Sequence, residues 1–359
     1  MSIDREGASM DIKQQRLYLI ASGMINAVGA NAAMVNAAIN AGISGYQLTA
    51  CFNKRRKPIR MANIPSDVLE PLDEGLAEVA QVHPGHAHMV RIASQALREC
   101  LANYTGTRPI PLFMSCPETI PRANPRIHQD FIQHLQIQSK ANIDIKNSRK
   151  FATGRAGGFQ ALESAFQYLA SAENEFSLVG GVDSYQYCLQ QLSVLDDEDR
   201  LLVEEAAEGF VPGEAGAFVL LASAKTLEKY QLSSALTIAY PCEASEKGHR
   251  YSQQPYSGDG LANAFHGALA NAPELAVGTI YTSLNGENFG SKEMGVALMR
   301  NSGRISADVV IKHPADCFGD IGAAFGPVLL GLMGKAKTCS AIAYCSSDTE
   351  YRSAVCAWK

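Results

Sequence analysis

Apolar residues in this chain fall into short runs of strand length, alternating with stretches of helical period. Leu17 to Ile25 is a mostly apolar run suited to a buried strand, and Ala30 to Ala41 continues as an Ala- and Asn-rich helix. His86 to Asn103 sets Met89, Ile92, Ala93, Ala96, Leu97 and Cys100 on one face, as an amphipathic helix does, and Ile110 to Met114 reads as the next strand. A tight small-residue lead-in beginning at Lys150 runs into a helix whose apolar positions are Leu162, Ala165, Phe166 and Leu169. The polar break Ser171 to Glu175 ends it. Phe176 to Val179 is then a short strand, followed by a turn over Gly180 to Ser184. Leu192 to Glu208 predicts a helix or irregular cap, and Phe210 to Leu221 a turn and a buried strand.

From about Ser233 the order restarts. Strands are predicted at Ala235 to Tyr240, Val277 to Leu284 and Ala307 to Ile311, and helices at Gly260 to Ala270, Lys292 to Arg300 and Ile321 to Met333. Ser340 to Cys345 and Arg352 to Trp358 are two closing strands. This alternation predicts an α/β protein with a parallel-rich sheet and helices on its faces. Phe151-Ala152-Thr153-Gly154 and Gly319 to Gly326 each feed a small-residue helix, an internal duplication that divides the chain into halves 1–230 and 231–359. Small residues let those two helices pack tightly between two sheets, so the expected fold is five-layered, α-β-α-β-α. The stretches at about 54–84 and 121–147 lack a sustained period and are expected as surface insertions, the second with a short helix around Phe131 to Ile137.

Composition narrows the class. With 359 residues, 47% hydrophobic and 19% charged, the chain can bury a large core. A net charge of -5 offers no overall basic field for nucleic acid, and the one dense basic cluster, Lys54-Arg55-Arg56-Lys57, reads as a solvated loop. No window holds the ~18 consecutive apolar residues of a membrane span. The polar stretch Met1 to Gln15 lacks the apolar centre of a secretory signal. Nine scattered cysteines, an odd count without a Cys-x-x-Cys pair, argue against a disulfide framework. A reduced, soluble, cytoplasmic protein is expected.

The corner at Phe151 is where chemistry would be sought. A strand-to-helix turn sets one side chain over a helix N-terminus, where unpaired N–H groups favour developing negative charge. An enzyme of acyl chemistry would hold a nucleophile there. Four further segments share a resemblance that covers nearly the whole chain. Ser22 to Gly29, Gly180 to Ser184, Gly209 to Ala215 and Gly319 to Ala324 resemble the opening strand, a strand-end motif, a specific loop and the Gly-His-x-x-Gly-Ala-Ala segment of β-ketoacyl-ACP synthases, in the thiolase superfamily.

The resemblance implies a thiolase-like fold and three catalytic positions. Family members use a Cys that holds the acyl chain and two His that stabilise the condensing unit. Those positions match Phe151, Asn285 and Asp320 here. The lysine before the second His has no clear counterpart, since Lys312 lies too far upstream, and Ser346-Ser347-Asp348-Thr349 replaces the Gly-Phe-Gly-Gly loop. Phe supplies no nucleophile, Asn can donate a hydrogen bond but cannot shuttle a proton, and an ionised Asp would repel an oxyanion. No catalytic residue and no cofactor are therefore expected: the chain reads as a pseudo-enzyme. Phe151 would fill the old acyl cavity.

Other chemistries are weaker. Asn285, Glu287 and Asp320 make a polar cluster that reads as a hydrogen-bonded network rather than a metal site. Cys116 could be a displaced nucleophile but reads as a structural strand-end thiol, and His313, followed by Pro314, reads as a strand-end residue rather than a partner of Asp320. His83, His86 and His88 suggest a metal, against the plainer reading of a solvated helix start. The resemblance implies a homodimer. Asn285-Gly286-Glu287 with Gly319-Asp320-Ile321-Gly322-Ala323-Ala324 looks like a synthase-like subfamily associated with type VI secretion, which implies an adaptor or chaperone for a secretion effector. The alternative is an acyl-processing role, as the inactive partner of an active ketosynthase or as a binder of acyl carrier protein or acyl-CoA.

Overall fold

The computed structural model describes residues 12–203, 208–337 and 339–359; the expectations for 1–11 and 204–207 lie outside them. The first half runs β1 (Arg16–Asn26), α1 (Ala32–Asn40), β2 (Gln47–Phe52), β3 (Pro58–Met61), α2 (Ala77–Val82), α3 (Pro84–Leu101), β4 (Leu112–Ser115), α4 (Phe131–Ser139), β5 (Arg149–Phe151), α5 (Gly157–Leu169), β6 (Phe176–Ser184), α6 (Leu189–Asp197), β7 (Glu214–Ser223) and α7 (Ala224–Tyr230). The second runs β8 (Leu236–Ala239), β9 (Cys242–Ser245), α8 (Asp259–Ala270), β10 (Val277–Thr282), α9 (Asn288–Arg300), β11 (Ile305–Lys312), α10 (Ala315–Phe318), α11 (Phe325–Lys335), β12 (Ser340–Ser346) and β13 (Tyr351–Trp358).

The duplication is visible in the strand order. One half of the main sheet reads β5-β4-β6-β7-β1 and the other β11-β10-β12-β13-β8, the two joined where β1 pairs with β8. Each set has the same sequence of neighbours from edge to centre. Helices α5 and α11 lie between the two sheet halves, α3 and α4 cover one outer face, and α8 and α9 the other. That is the five-layered α/β arrangement expected. Phe325 to Met333 are buried throughout, as the all-round apolar character of a central helix requires.

The central helices touch where neither has a side chain. A Cβ on Gly158 would stand 2.7 Å from the Gly326 Cα, and one on Gly326 2.7 Å from the Gly158 Cα. Only glycine at both positions permits this approach. On the outer face, Glu99 in α3 accepts hydrogen bonds from Met24 N (2.9 Å) in β1 and Ala32 N (2.9 Å) in α1, tying three elements at one carboxylate.

Four expectations need correction. Gly180 to Ser184 is no turn: β6 continues through it, because the Phe218 ring of β7 packs against Gly180, where a Cβ would lie 2.3 Å from it. The stretch 54–84 is no mere surface excursion, since Ile59, Met61, Ile64, Leu69 and Leu76 are buried. Its apolar residues anchor an irregular path one at a time, which leaves no period to read. In 121–147, likewise, Phe131, Ile132, Leu135 and Ile143 are buried against α3 and β4. The described helix after Leu189 ends at Asp197, earlier than the stretch to Glu208 suggested.

Candidate functional site

The loops at one end of the sheet bring Asn285, Glu287 and Asp320 together. Asn285 follows β10, Glu287 precedes α9, and Asp320 precedes α11. Asp320 is held by the backbone: its N–H donates to Val211 O (2.7 Å) and its carbonyl accepts from Gly213 N (2.8 Å). A Cβ on Gly213 would lie 2.2 Å from Phe318 O, so the Gly209 to Ala215 loop needs glycine there to reach Asp320. The Asn285 amide donates to Glu287 Oε2 (2.9 Å) and Asp320 Oδ2 (2.8 Å), while its Oδ1 accepts from Glu287 N (3.2 Å). Two carboxylate acceptors fix the amide orientation and use both of its N–H groups. Neither remains for an oxyanion, contrary to the expectation that Asn285 could still donate to one.

Three arginines that the sequence reading did not single out complete the cluster. Arg155, between β5 and α5, is buried and pairs through Nη2 and Nε with Asp320, and through Nη1 with Asp348 Oδ1 (3.0 Å). Arg200, after α6, makes a two-pronged contact with Glu287 (Nε–Oε1 2.8 Å, Nη2–Oε2 2.9 Å) and reaches Asp348 Oδ2 at 2.7 Å. Arg250 adds a contact to Glu287 Oε1 at 2.9 Å. Three guanidiniums thus meet three carboxylates, drawn from both halves of the chain. Paired planar guanidiniums and carboxylates are the strong form of such contacts, and burial makes them mutually dependent.

Electrostatics follow from this closure. Burial opposes ionising Asp348, but Arg200 and Arg155 outweigh it and hold its carboxyl well below the usual carboxylate range. Glu118 accepts from Asp348 N (3.1 Å), Thr349 N (2.8 Å) and the Thr349 hydroxyl. Burial first, and then the Asp348 charge, push the Glu118 carboxyl up to about 7. The 346–349 loop is therefore clamped: Glu118 holds its backbone and Asp348 ties it to two arginines. Beside this cluster a cavity of about 540 Å³ opens among Arg200, Arg250, Glu287 and the acidic 196–199 segment.

Phe151 does not plug an enclosed cavity. It is half-buried at the end of edge strand β5, against the central core, with the Arg149 guanidinium 4.9 Å from its ring centroid. It also lines an open groove with Thr153, Gln160 and Tyr351. Arg155 did leave one trace in the sequence, a lone charge inside a Gly- and Ala-rich run; Arg200, Arg250 and Asp348 sit in polar loops without any pattern.

The remaining candidates resolve into structural roles. Cys116 is 2% exposed, and burial raises its thiol to about 12, so it stays protonated and unreactive. His313 is exposed and its Nδ1 approaches Thr282 Oγ1 at 3.4 Å, not Asp320. His88 is buried against Glu214 (2.8 Å), which also accepts from Ser184 Oγ (2.6 Å) and Ile64 N (2.7 Å). His86 Nδ1 accepts from His128 N (3.1 Å), so its Nε2 carries the proton and donates to His134 Nδ1 at 2.9 Å. Among the described residues no group of three or more His, Cys, Asp or Glu side chains is arranged to hold a metal ion. Lys54 and Arg55 share one carboxylate, Asp199, at 3.0 and 3.2 Å.

Five layers, a duplicated strand order and glycine-crossed central helices define a thiolase-like ketosynthase fold. The likeness extends to solved structures. The ishigamide ketosynthase/chain length factor superposes with a TM-score of 0.74 at 13% identity, covering 96% of this chain and 99% of that one. A ketosynthase in complex with its chain length factor from Xenorhabdus doucetiae gives 0.75 at 14% identity, covering 100% of each chain. The oxazolomycin ketosynthase domain of Streptomyces albus JA3453 gives 0.75 at 13%, over 96% of this chain and 74% of that one. No family model and no curated protein matches the sequence. At these identities the shared property is the fold. No helix among the described residues is long and apolar enough to cross a membrane.

Proposed function

We propose that this chain is a ketosynthase-fold protein without condensing chemistry, working as a non-enzymatic adaptor or chaperone through protein contacts. The observation that carries the reading is the state of Asp320 and Asn285. Both stand where the fold relatives' histidines are expected, and both are bound into the buried arginine network. With Phe151 at the nucleophile position, no group is left to attack a thioester, relay a proton or receive an oxyanion. Partner binding needs none of these. The resemblance of the 285–287 and 319–324 motifs makes a type VI secretion effector the partner class of this reading. Edge strand β5 pairs only with β4 among the described residues, so a homodimer joined at that edge belongs to the same reading.

A second reading, an inactive partner of an active ketosynthase or a binder of acyl carrier protein, is supported by the presence of chain length factor complexes among the structural neighbours. The Asp199 carboxylate shared by Lys54 and Arg55 lowers the positive charge that run offers an acidic carrier protein. Two measurements test the proposal. Purified protein given malonyl-acyl carrier protein should release no carbon dioxide above background; release would overturn the non-condensing reading. Affinity purification from the native host should recover a secretion effector or its chaperone, whereas recovery of a ketosynthase or acyl carrier protein would overturn the adaptor reading in favour of the second.

A further inference from the structure

A groove formed by both halves of the chain shares no residue with the arginine network and is independent of the function proposed above. It lies between α1, the end of α11 and the strands β10 and β11, and encloses about 760 Å³. That volume falls in the range of about 300–1,000 Å³ usual for small-ligand sites. Its walls include the half-buried side chains of Ile39 and Tyr281, which pack against the central core, and the buried Leu332. Its polar side carries Lys312, Lys335 and Lys337, all exposed. None of the three forms an ion pair with a described carboxylate.

The location follows from the topology. β11 is an edge strand, with Ile305, Val309 and Ile311 packed towards α8 and α9. Val310, between them, is 50% exposed, and Lys312 at the strand end is exposed too, so this part of the sheet has no helix over its other face. Lys335 closes the last turn of α11 and Lys337 follows it. In a chain of net charge -5, three unneutralised cations gathered on one groove repel one another, and only Asp316 on the wall opposes them. An anion would relieve that repulsion while an apolar body covered the Tyr281 wall.

We propose that this groove binds an amphipathic small organic anion, with a multiply charged phosphate or carboxylate head against Lys312, Lys335 and Lys337 and an aromatic or aliphatic body on Ile39, Tyr281 and Leu332. The probe is 1-naphthyl phosphate, compared by titration calorimetry with inorganic phosphate and with 1-naphthol on the full chain. Naphthyl phosphate should bind about tenfold or more tightly than either fragment, and more weakly as salt is raised. The paired reversal Lys312→Glu, Lys335→Glu should weaken it by about tenfold or more, since both side chains are exposed and the fold does not depend on them. The neutral pair Lys312→Met, Lys335→Met serves as a second variant and should show a smaller loss in the same direction. Absence of saturable binding by the unaltered chain, equal binding of inorganic and naphthyl phosphate, or unchanged affinity in both variants would each overturn the proposal.

Discussion

The Arg155 guanidinium and the Asp320 carboxylate, 165 residues apart in sequence, form a buried ion pair between the two halves of the duplicated fold. The contact joins the lead-in of one central helix to the lead-in of the other. Removing one partner leaves a charge buried with fewer groups to meet it, which typically costs about 3–5 kcal/mol. Arg155→Met and Asp320→Leu should each destabilise on that scale, and the double variant by clearly less than their sum. Urea denaturation of the four proteins measures the coupling; additive losses would mean that the pair does not act as a unit.

A cysteine placed at position 151 should not confer condensation. Phe151 is half-buried at a sheet edge, so Phe151→Cys is expected to fold and to be open to acylation by a reactive thioester. Both Asn285 N–H groups remain bound to Glu287 and Asp320, and no imidazole replaces them. Mass spectrometry should therefore find at most an acyl adduct, with no condensed product from malonyl-acyl carrier protein. A condensed product would show that the arginine network yields to substrate.

The crossing of the central helices should tolerate no added methyl group. Gly158→Ala and Gly326→Ala each force a Cβ to 2.7 Å from the opposite Cα, backbone that cannot rotate away. Overpacking of this kind costs roughly 1–3 kcal/mol. Thermal melting should show a fall for each, whereas Gly303→Ala, with open space at its Cβ, provides the control.

Two buried groups should bend the pH dependence of stability in opposite directions. Glu118, raised from 4.5 to about 7 by burial and then by Asp348, keeps its proton in the folded chain where the unfolded chain has lost it. Its contribution is full below 4.5 and is lost as pH rises through about 7. His86 is lowered from 6.5 to about 3, first by burial and then by His134, so the folded chain keeps it neutral. Its contribution is present above 6.5 and is lost as pH falls towards about 3. Denaturation midpoints across pH should show Glu118→Gln removing the loss on the neutral side. The His86 ring resonances should not titrate near 6.5; a normal titration there would contradict the burial argument.

The sequence by itself determined the α/β alternation of the main sheet, the duplication and three candidate positions. Those features are carried locally: the period of α3 along Met89 to Cys100, the apolar run of β1, the glycines before α5 and α11, and Phe, Asn and Asp at 151, 285 and 320. Tertiary structure decided what these residues do. Gly180-Gly181 reads as a turn until the Phe218 ring is placed against it, and the apolar anchors of 54–84 have no period because each fills a separate gap. The site shows the same division more sharply. Asn285, Glu287 and Asp320 could be named from motifs, but Arg155, Arg200, Arg250, Asp348 and Glu118 come from five separated segments and share no spacing. Ion pairing acts through space and leaves no periodic trace along a chain, so only the folded molecule could show that these charged side chains meet in one buried network.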